Sequence, residues 1–424
     1  MTFAIHTFGC KVNIYESEFV TNLLLEQGYK MLDFNSNEEA DIYIINTCTV
    51  TNEADRKDRK LIHTTRDNHK SSILIVMGCY SQLNPDDIDA DIVIGNKYKS
   101  EIVSLINEYL KEHKKIIKVN DITKTSFEDM YINRFLTHTR AFVKIQDGCN
   151  AFCAYCTIPY ARGGIRSKDF DKVISEVTNL VNNGYKEIVL TGIHTGRYGI
   201  DKHTNLEKLL RELVTIPGIF RIRLSSIEVN EITDGIIDLI KNNDIMAKHL
   251  HIPLQSGSNN ILKSMNRLYD TENFIKKVEH IRNEIPDISI TTDLILGFPG
   301  ETEENFKETI DTLNKIKFTK IHTFPYSKRD GTKAASMPNQ VDGNIKKCRV
   351  KEVIALSDQY ELDFYKQKIG NTYSGIIETR KDGKKIVITS NYIPIEVDTK
   401  LENNVKVNVK LLTVNDLEIK GEII

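Results

Sequence analysis

Tryptophan is absent from the 424 residues, and the aromatic load falls on 17 Tyr and 16 Phe. Any stacking on a nucleobase must therefore come from those rings. Neither sign of charge prevails: 57 basic side chains face 59 acidic ones, for a formal net charge of -2. That balance excludes a global electrostatic attraction to a polyanion and leaves only local patches. Long apolar runs are missing as well. No stretch approaches the roughly 20 residues that span a bilayer. The opening Met1-Thr-Phe-Ala-Ile-His-Thr lacks a secretion-signal pattern. The expectation is a cytoplasmic protein with no membrane partner. Repeats and low-complexity segments are likewise absent, and at about 150 residues per domain the length suggests two to four domains.

Seven cysteines are present, and an odd number in a reducing compartment points to metal or catalysis before disulfides. Three of them, Cys149, Cys153 and Cys156, lie in one short run that withholds a fourth thiol. Three cysteines on a cubane cluster leave one iron without a protein ligand, free to bind a substrate or cosubstrate, whereas electron-transfer ferredoxins use four. A zinc site needs a further soft ligand nearby. No Cys or His lies between Cys156 and His194, and the nearest upstream histidine is His138. Zinc, or a buried thiol cluster, remains the alternative. Cys348, in the charged helical stretch Lys346-Lys-Cys-Arg-Val-Lys, reads as a bystander thiol.

The first hundred residues alternate short apolar runs with helical stretches, as a parallel α/β sheet does. Three of these runs end alike: residues 4–9 lead into Cys10, 41–47 into Cys48, and 73–78 into Cys79. Strand C-termini of an open parallel sheet share one edge, so these thiols would converge in a second three-cysteine site, although any one of them read singly is a core cysteine. The organisation expected is an N-terminal flavodoxin-like open sheet over 1–112 and a polar linker over 113–139. Six strand candidates, beginning at Phe142, Glu187, Phe220, His249, Ile290 and Lys320, follow over 140–340. Six βα units fall short of the eight in a full barrel, which implies a partial, laterally open (β/α)6 barrel with chemistry at the strand C-termini. A connecting helix over 341–366 and five short strands over 367–424 complete the chain, the last forming a small β-barrel of a kind often used on nucleic acid. That segment carries nine basic residues between Lys368 and Lys420 against eight acidic ones between Glu378 and Glu422. Its charge therefore makes no case for RNA. Tyr373 and Tyr392 are its candidate stacking platforms, with core filling as the alternative.

The spacing Cys149-x-x-x-Cys153-x-x-Cys156, with an aromatic at Tyr155, resembles the radical S-adenosylmethionine enzymes. Thr7-Phe-Gly-Cys-Lys-Val-Asn, Asn46-Thr-Cys-Thr-Val-Thr-Asn, Gly78-Cys-Tyr-Ser-Gln and His251-Ile-Pro-Leu-Gln-Ser-Gly-Ser narrow the likeness to the methylthiotransferases. Within these, the Gly-Cys-Lys-Val-Asn and Thr-Cys-Thr-Val-Thr forms are similar to the MtaB-type enzymes, which act on threonylcarbamoyladenosine in tRNA. The likeness covers nearly the whole chain, including a TRAM-like C-terminal segment. It implies two 4Fe-4S clusters, one on Cys149, Cys153 and Cys156 and an auxiliary one on Cys10, Cys48 and Cys79. It also implies S-adenosyl-L-methionine as source of both a radical and a methyl group, a tRNA anticodon stem-loop as partner, and an external electron donor of flavodoxin or ferredoxin type.

By the same analogy Tyr155, Thr191, Gly192, Ser225, Ser226, Glu228, Gln255, Gly297 and Phe298, all at strand ends or in the cluster loop, would hold S-adenosylmethionine. Arg56, Lys57, Arg59 and Lys60 form a basic run that could meet RNA or simply face solvent. A threonylcarbamoyl group carries a carboxylate, for which Arg162, Arg166 and Arg329 are the candidate cations. Two alternatives stand beside this reading: a methylthiotransferase for isopentenyladenosine, which needs an apolar pocket, and a non-catalytic Fe-S or zinc protein that binds RNA.

Overall fold

The computed structural model describes residues 1–136 and 138–424. Six strands, β1 (Thr2–Thr7), β2 (Lys30–Met31), β3 (Ile42–Thr47), β4 (Ile73–Gly78), β5 (Ile92–Ile94) and β6 (Ile116–Lys118), form one sheet in the order β2-β1-β3-β4-β5-β6. Every pairing is parallel. β3 and β4 are buried throughout, which is why they read as unbroken β-branched and aliphatic runs. The order reverses between β1 and β3, so a crevice opens beyond their carboxyl ends. The stretch expected as a linker holds β6, the sheet's edge strand. It also holds Met130, Ile132 and Phe135, all buried in the main core. This segment is a packed strap, and Tyr15 donates its hydroxyl to the Met130 carbonyl at 2.9 Å.

The next strands are β7 (Ala141–Lys144), β8 (Gln146–Asp147), β9 (Arg166–Ser167), β10 (Glu187–Thr191), β11 (Arg221–Leu224), β12 (His249–His251), β13 (Ser289–Leu296) and β14 (Lys320–Pro325). β7, β10 and β11 pair in parallel, as do β12, β13 and β14. Single bridges, Ile222 to Met246 and Ser226 to His251, join the two halves. The result is a six-stranded arc, with no pairing between β7 and β14 among the described residues. The small antiparallel pair β8/β9 closes the base of the cysteine loop.

A helix, Gly343–Lys366, leads to β15 (Thr372–Thr379), β16 (Lys385–Thr389), β17 (Pro394–Glu396), β18 (Lys406–Asn415) and β19 (Glu418–Ile423), which close into a barrel. It docks on the strand N-terminal end of the arc, opposite the cysteine loop. Arg221 donates to the carbonyls of Ile388 and Ser374, both at 3.0 Å, and Arg223 to those of Thr389 at 3.1 Å and Ser390 at 3.3 Å. Lys248, Asp287 and Gly184, each just before a strand, hold Ser390, Asn391 and Asn404. Tyr373 and Tyr392 are not free platforms. Tyr373 is 9 % exposed, and Tyr392 lies under the Arg223 guanidinium, 4.4 Å from its ring centroid.

Buried Glu187 is the counter-charge for Arg221 at 3.3 Å, Arg223 at 2.8 Å and Arg140 at 3.8 Å. Glu187→Ala would strip Arg221 and Arg223 of their only carboxylate among the described residues, while Arg140 keeps Glu378 at 2.7 Å, and is expected to cost about 3–5 kcal/mol, seen as a lowered thermal midpoint.

Candidate functional site

The loop between β8 and β9 carries Cys149, Cys153 and Cys156, each partly exposed and free of any disulfide. Its path requires Gly148, whose φ is +74°, because a Cβ there would fall 1.9 Å from the Gly164 carbonyl oxygen. Cys149 N–H donates to the Gly163 carbonyl at 2.9 Å, Ala154 N–H to that of Met265 at 3.0 Å, and Ala334 N–H to that of Ala154 at 2.7 Å. The loop is thus fastened to the barrel before any metal arrives. Burial pushes the Cys156 thiol up to about 12. Such a thiol ionises only as a metal displaces its proton, which fits the role of a cluster ligand.

Cys10 follows β1, Cys48 follows β3, and Cys79 opens the helix after β4. All three stand on one sheet edge, flanking the switch-point crevice. Gly9, at φ +100°, lets the first loop close on the second; a Cβ there would sit 2.9 Å from the Cys48 Cβ. Burial, with Cys79 and Cys10 adding to it, lifts the Cys48 thiol to about 12. The donor set again fits a cluster: three mutually neighbouring thiols with no fourth cysteine. Across the interface Thr157, next to Cys156, donates to the Thr49 carbonyl at 3.2 Å, so the two cysteine sites approach each other between the domains. Among the described residues no three Cys, His, Asp or Glu side chains are arranged around a single ion.

Arg162 is not available to a substrate. Fully buried, it donates Nε to the Cys79 sulfur at 3.2 Å, Nη1 to Glu16 at 2.8 Å and Asp147 at 3.2 Å, and Nη2 to Asn13 at 2.8 Å and Glu16 at 3.2 Å. Lys144 and Lys99 complete the knot, 2.7 and 3.4 Å from Glu16. Burial pushes the Glu16 carboxyl up, but Arg162, Lys144 and Lys99 outweigh it and hold it well below its usual range. Arg166 is similarly spent on the carbonyls of Arg162 at 2.7 Å and Ile122 at 3.3 Å and on Thr125 at 3.0 Å. Arg329 bonds Asn52, Thr49 and Asp55 at 2.7, 2.5 and 2.7 Å. Arg162 and Arg329 thus tie the barrel to the N-terminal domain and Arg166 ties β9 to the strap, so each of these candidate carboxylate readers already holds protein partners. Arg162→Gln removes the charge that Glu16 and Asp147 share and is expected to destabilise the chain by about 3 kcal/mol or more, read as a lower denaturant midpoint.

Around the cysteine loop the strand-end residues divide into two groups. Tyr155, Gln255, Asp293 and Val50 line a cavity of about 200 Å³ beside Cys156. Glu228 lines another, of about 370 Å³, with Cys153, His194 and Arg267. Thr191 is buried, and its carbonyl accepts from Ile145 N–H at 2.9 Å; Gly192 packs on Gln146, whose Oε1 would lie 3.0 Å from an added Cβ. Ser225 closes its strand by donating Oγ to the Leu190 carbonyl at 2.7 Å. Ser226 bridges the two half-arcs. Gly297 gives its N–H to Glu301 at 2.8 Å in a turn. Phe298 has no exposed surface and packs among Ala154, Ile261, Met265 and Tyr326, so it supports the loop from behind and offers no face to an adenine.

Two residues were not foreseen. His194 Nδ1 stands 3.3 Å from the Cys149 sulfur, while its Nε2 is held by Glu231 at 2.8 Å. Burial opposes its charge, but those two partners raise it to about 10. Arg267 donates to the Cys153 sulfur at 3.2 Å and pairs with Glu228. His194 follows Thr191-Gly192 by two residues, which was the only sequence signal; Arg267 had none.

Residues 143–313 match the Radical SAM superfamily, and residues 2–97 match Uncharacterized protein family UPF0004. The chain is 45% identical over 93% of its length, and 90% of the relative's, to threonylcarbamoyladenosine tRNA methylthiotransferase MtaB of Bacillus subtilis. It is 38% identical over 93% of its length, and 96% of the relative's, to the Aquifex aeolicus protein of the same name. Identity to tRNA-2-methylthio-N(6)-dimethylallyladenosine synthase of Thermoanaerobacter pseudethanolicus is 35%, over 99% of this chain and 92% of that one. The radical S-adenosylmethionine methyltransferase TsrM of Kitasatospora setae shares the fold, with a TM-score of 0.55 at 13% identity over 76% of this chain and 72% of its own. With two cysteine sites in this arrangement and identity sustained across both domains, the chain belongs to the radical S-adenosylmethionine methylthiotransferase family.

Proposed function

We propose that this enzyme converts threonylcarbamoyladenosine beside the tRNA anticodon to its 2-methylthio derivative, with Cys149, Cys153 and Cys156 on one 4Fe-4S cluster and Cys10, Cys48 and Cys79 on the other. The observation that supports this most is the approach of two three-thiol sites, each short of a fourth sulfur, across one interdomain seam. S-adenosylmethionine at the first cluster would supply the radical that activates an aromatic C–H bond and, separately, the methyl group. The protein's own residues have humbler tasks. Arg267 and His194 fix the sulfurs of Cys153 and Cys149. Glu228, Ser226, Thr191 and Gly192 bound the cosubstrate on one side, and Tyr155 and Gln255 on the other.

The base would enter through the open side of the arc, past Val50 and Phe324, which are 58% and 42% exposed. A base in an anticodon loop leaves its stack at lower cost than one in a duplex. Arg56 and Arg59, in the cleft of about 1070 Å³ between the domains, are the candidate RNA contacts. A flavodoxin or ferredoxin would deliver the electron, and the setting would be the cytoplasm. Nucleoside mass spectrometry of tRNA from a deletion strain tests the reading. The expected result is loss of 2-methylthio-threonylcarbamoyladenosine with the isopentenyl product intact; loss of the isopentenyl product alone would overturn it.

A further inference from the structure

Tyr373 and Tyr392 are packed away, so ring surface for a single-stranded nucleic acid has to come from elsewhere in the chain. Among the described residues the two most exposed aromatic side chains are Phe152 and Tyr160, at 52% and 50%. They lie together. Their rings stand edge to face with centroids 5.9 Å apart. Phe152 immediately precedes Cys153, and Tyr160 sits on the short helix Ile158–Arg162 that follows Cys156. Neither ring is loosely held. Phe152 has a φ of +46°, a left-handed conformation that a bulky side chain adopts only under constraint. Asn266 supplies the constraint by donating to the carbonyls of Ala151 at 3.2 Å and Phe152 at 3.3 Å. Around Tyr160, Pro159, Ala161 and Arg162 are all buried, the last in its knot with Glu16 and Asp147. Rings fixed at a surface in this way lose little freedom when something binds.

The pair stands at a doorway. Tyr160 lines the interdomain cleft of about 1070 Å³, and Thr157, whose carbonyl accepts from Tyr160 N–H at 3.0 Å, lines both that cleft and the cavity of about 200 Å³ beside Cys156. The charges of the cleft give no net pull on a polyanion, since Arg56, Arg59 and Arg329 face Glu53, Asp55, Asp87 and Asp330. What its rim offers is flat apolar surface, which a nucleobase of any identity can use. A base drawn out of an anticodon loop also leaves its neighbour unstacked on one face, and a ring beside the entrance restores that contact. We infer that Phe152 and Tyr160 form the platform on which the nucleobase adjoining the modified adenosine stacks, an inference that rests on the tRNA substrate proposed above. The platform adds affinity without selecting sequence, because every base has a π-face.

The test measures binding of reconstituted holoenzyme to anticodon stem-loops carrying threonylcarbamoyladenosine, either intact or with an abasic site directly before or directly after that nucleotide. Wild type is expected to bind one of the two abasic loops about tenfold more weakly than the intact one. Tyr160→Leu and Phe152→Leu keep apolar bulk and lose the flat face. Each should bind the intact loop about tenfold more weakly and lose nothing further with that abasic loop, whereas Tyr160→Phe should behave as wild type. Iron content, measured in each, separates lost stacking from a lost cluster, and Tyr160→Leu, outside the cysteine run, decides if Phe152→Leu loses iron. If Tyr160→Leu binds the intact loop as wild type does, or weakens intact and abasic loops alike, the platform falls while the substrate stands. Unimpaired RNA binding with slowed cluster reduction by flavodoxin, restored by dithionite, would overturn it equally and make the pair a docking face for the electron donor. If wild type binds the stem-loop no better than an RNA duplex of equal length, the tRNA reading falls, and this inference with it.

Discussion

Cys153→Ala is expected to abolish reductive cleavage of S-adenosylmethionine while leaving the auxiliary iron in place. The loop offers three thiols and no substitute: its neighbours are a guanidinium that cannot ligate and a histidine engaged by Glu231. Two thiols do not hold a cubane in water, so iron should fall from about eight to about four per chain. The loop itself should survive, because its backbone is fastened to Gly163, Met265 and Ala334 independently of the sulfur. Anaerobic reconstitution, iron quantitation and chromatography of the 5′-deoxyadenosine formed would check this. Full iron content with normal cleavage would refute the assignment of the first site.

The second large effect should separate the two halves of the chemistry. Cys48→Ala removes a ligand from the auxiliary site without touching the cysteine loop. The side chain is 6% exposed, and a lost sulfur atom there is a small cavity, about 1 kcal/mol. Cleavage of S-adenosylmethionine should persist, and the methylthiolated nucleoside should vanish. A variant that still makes full product would show that these three cysteines hold nothing the reaction needs.

Much of this was legible in the chain. β3 and β4 are buried on both faces, so their residues form unbroken apolar runs, and a cysteine after each is conspicuous. β6 was missed because three residues carry no periodicity, and it sits among lysines that read as linker. The strap around Met130, Ile132 and Phe135 was missed because its partners lie far off in the chain: Tyr15 on the first helix, and Lys168, Glu176 and Tyr185 well downstream. Distance in sequence also hid Arg162. Nothing near it says that Glu16, 146 residues earlier, will neutralise it, so an arginine beside the cluster loop read as a ligand contact. Phe298 and Tyr392 failed for a related reason: an aromatic at a strand end or a hairpin looks available until the packing against it is known. The cysteine spacings were spared this ambiguity because their chemistry is local.

The docking of the last barrel has a mechanical consequence. Four main-chain carbonyls of that barrel are gripped by Arg221 and Arg223 of β11, and the far end of the same short strand runs into Ser225, Ser226 and Glu228. Any pull on a macromolecule held by the terminal domain would travel along one rigid rod to the floor of the reaction chamber. The terminal domain is therefore no detachable handle. It is the base plate on which the chamber stands.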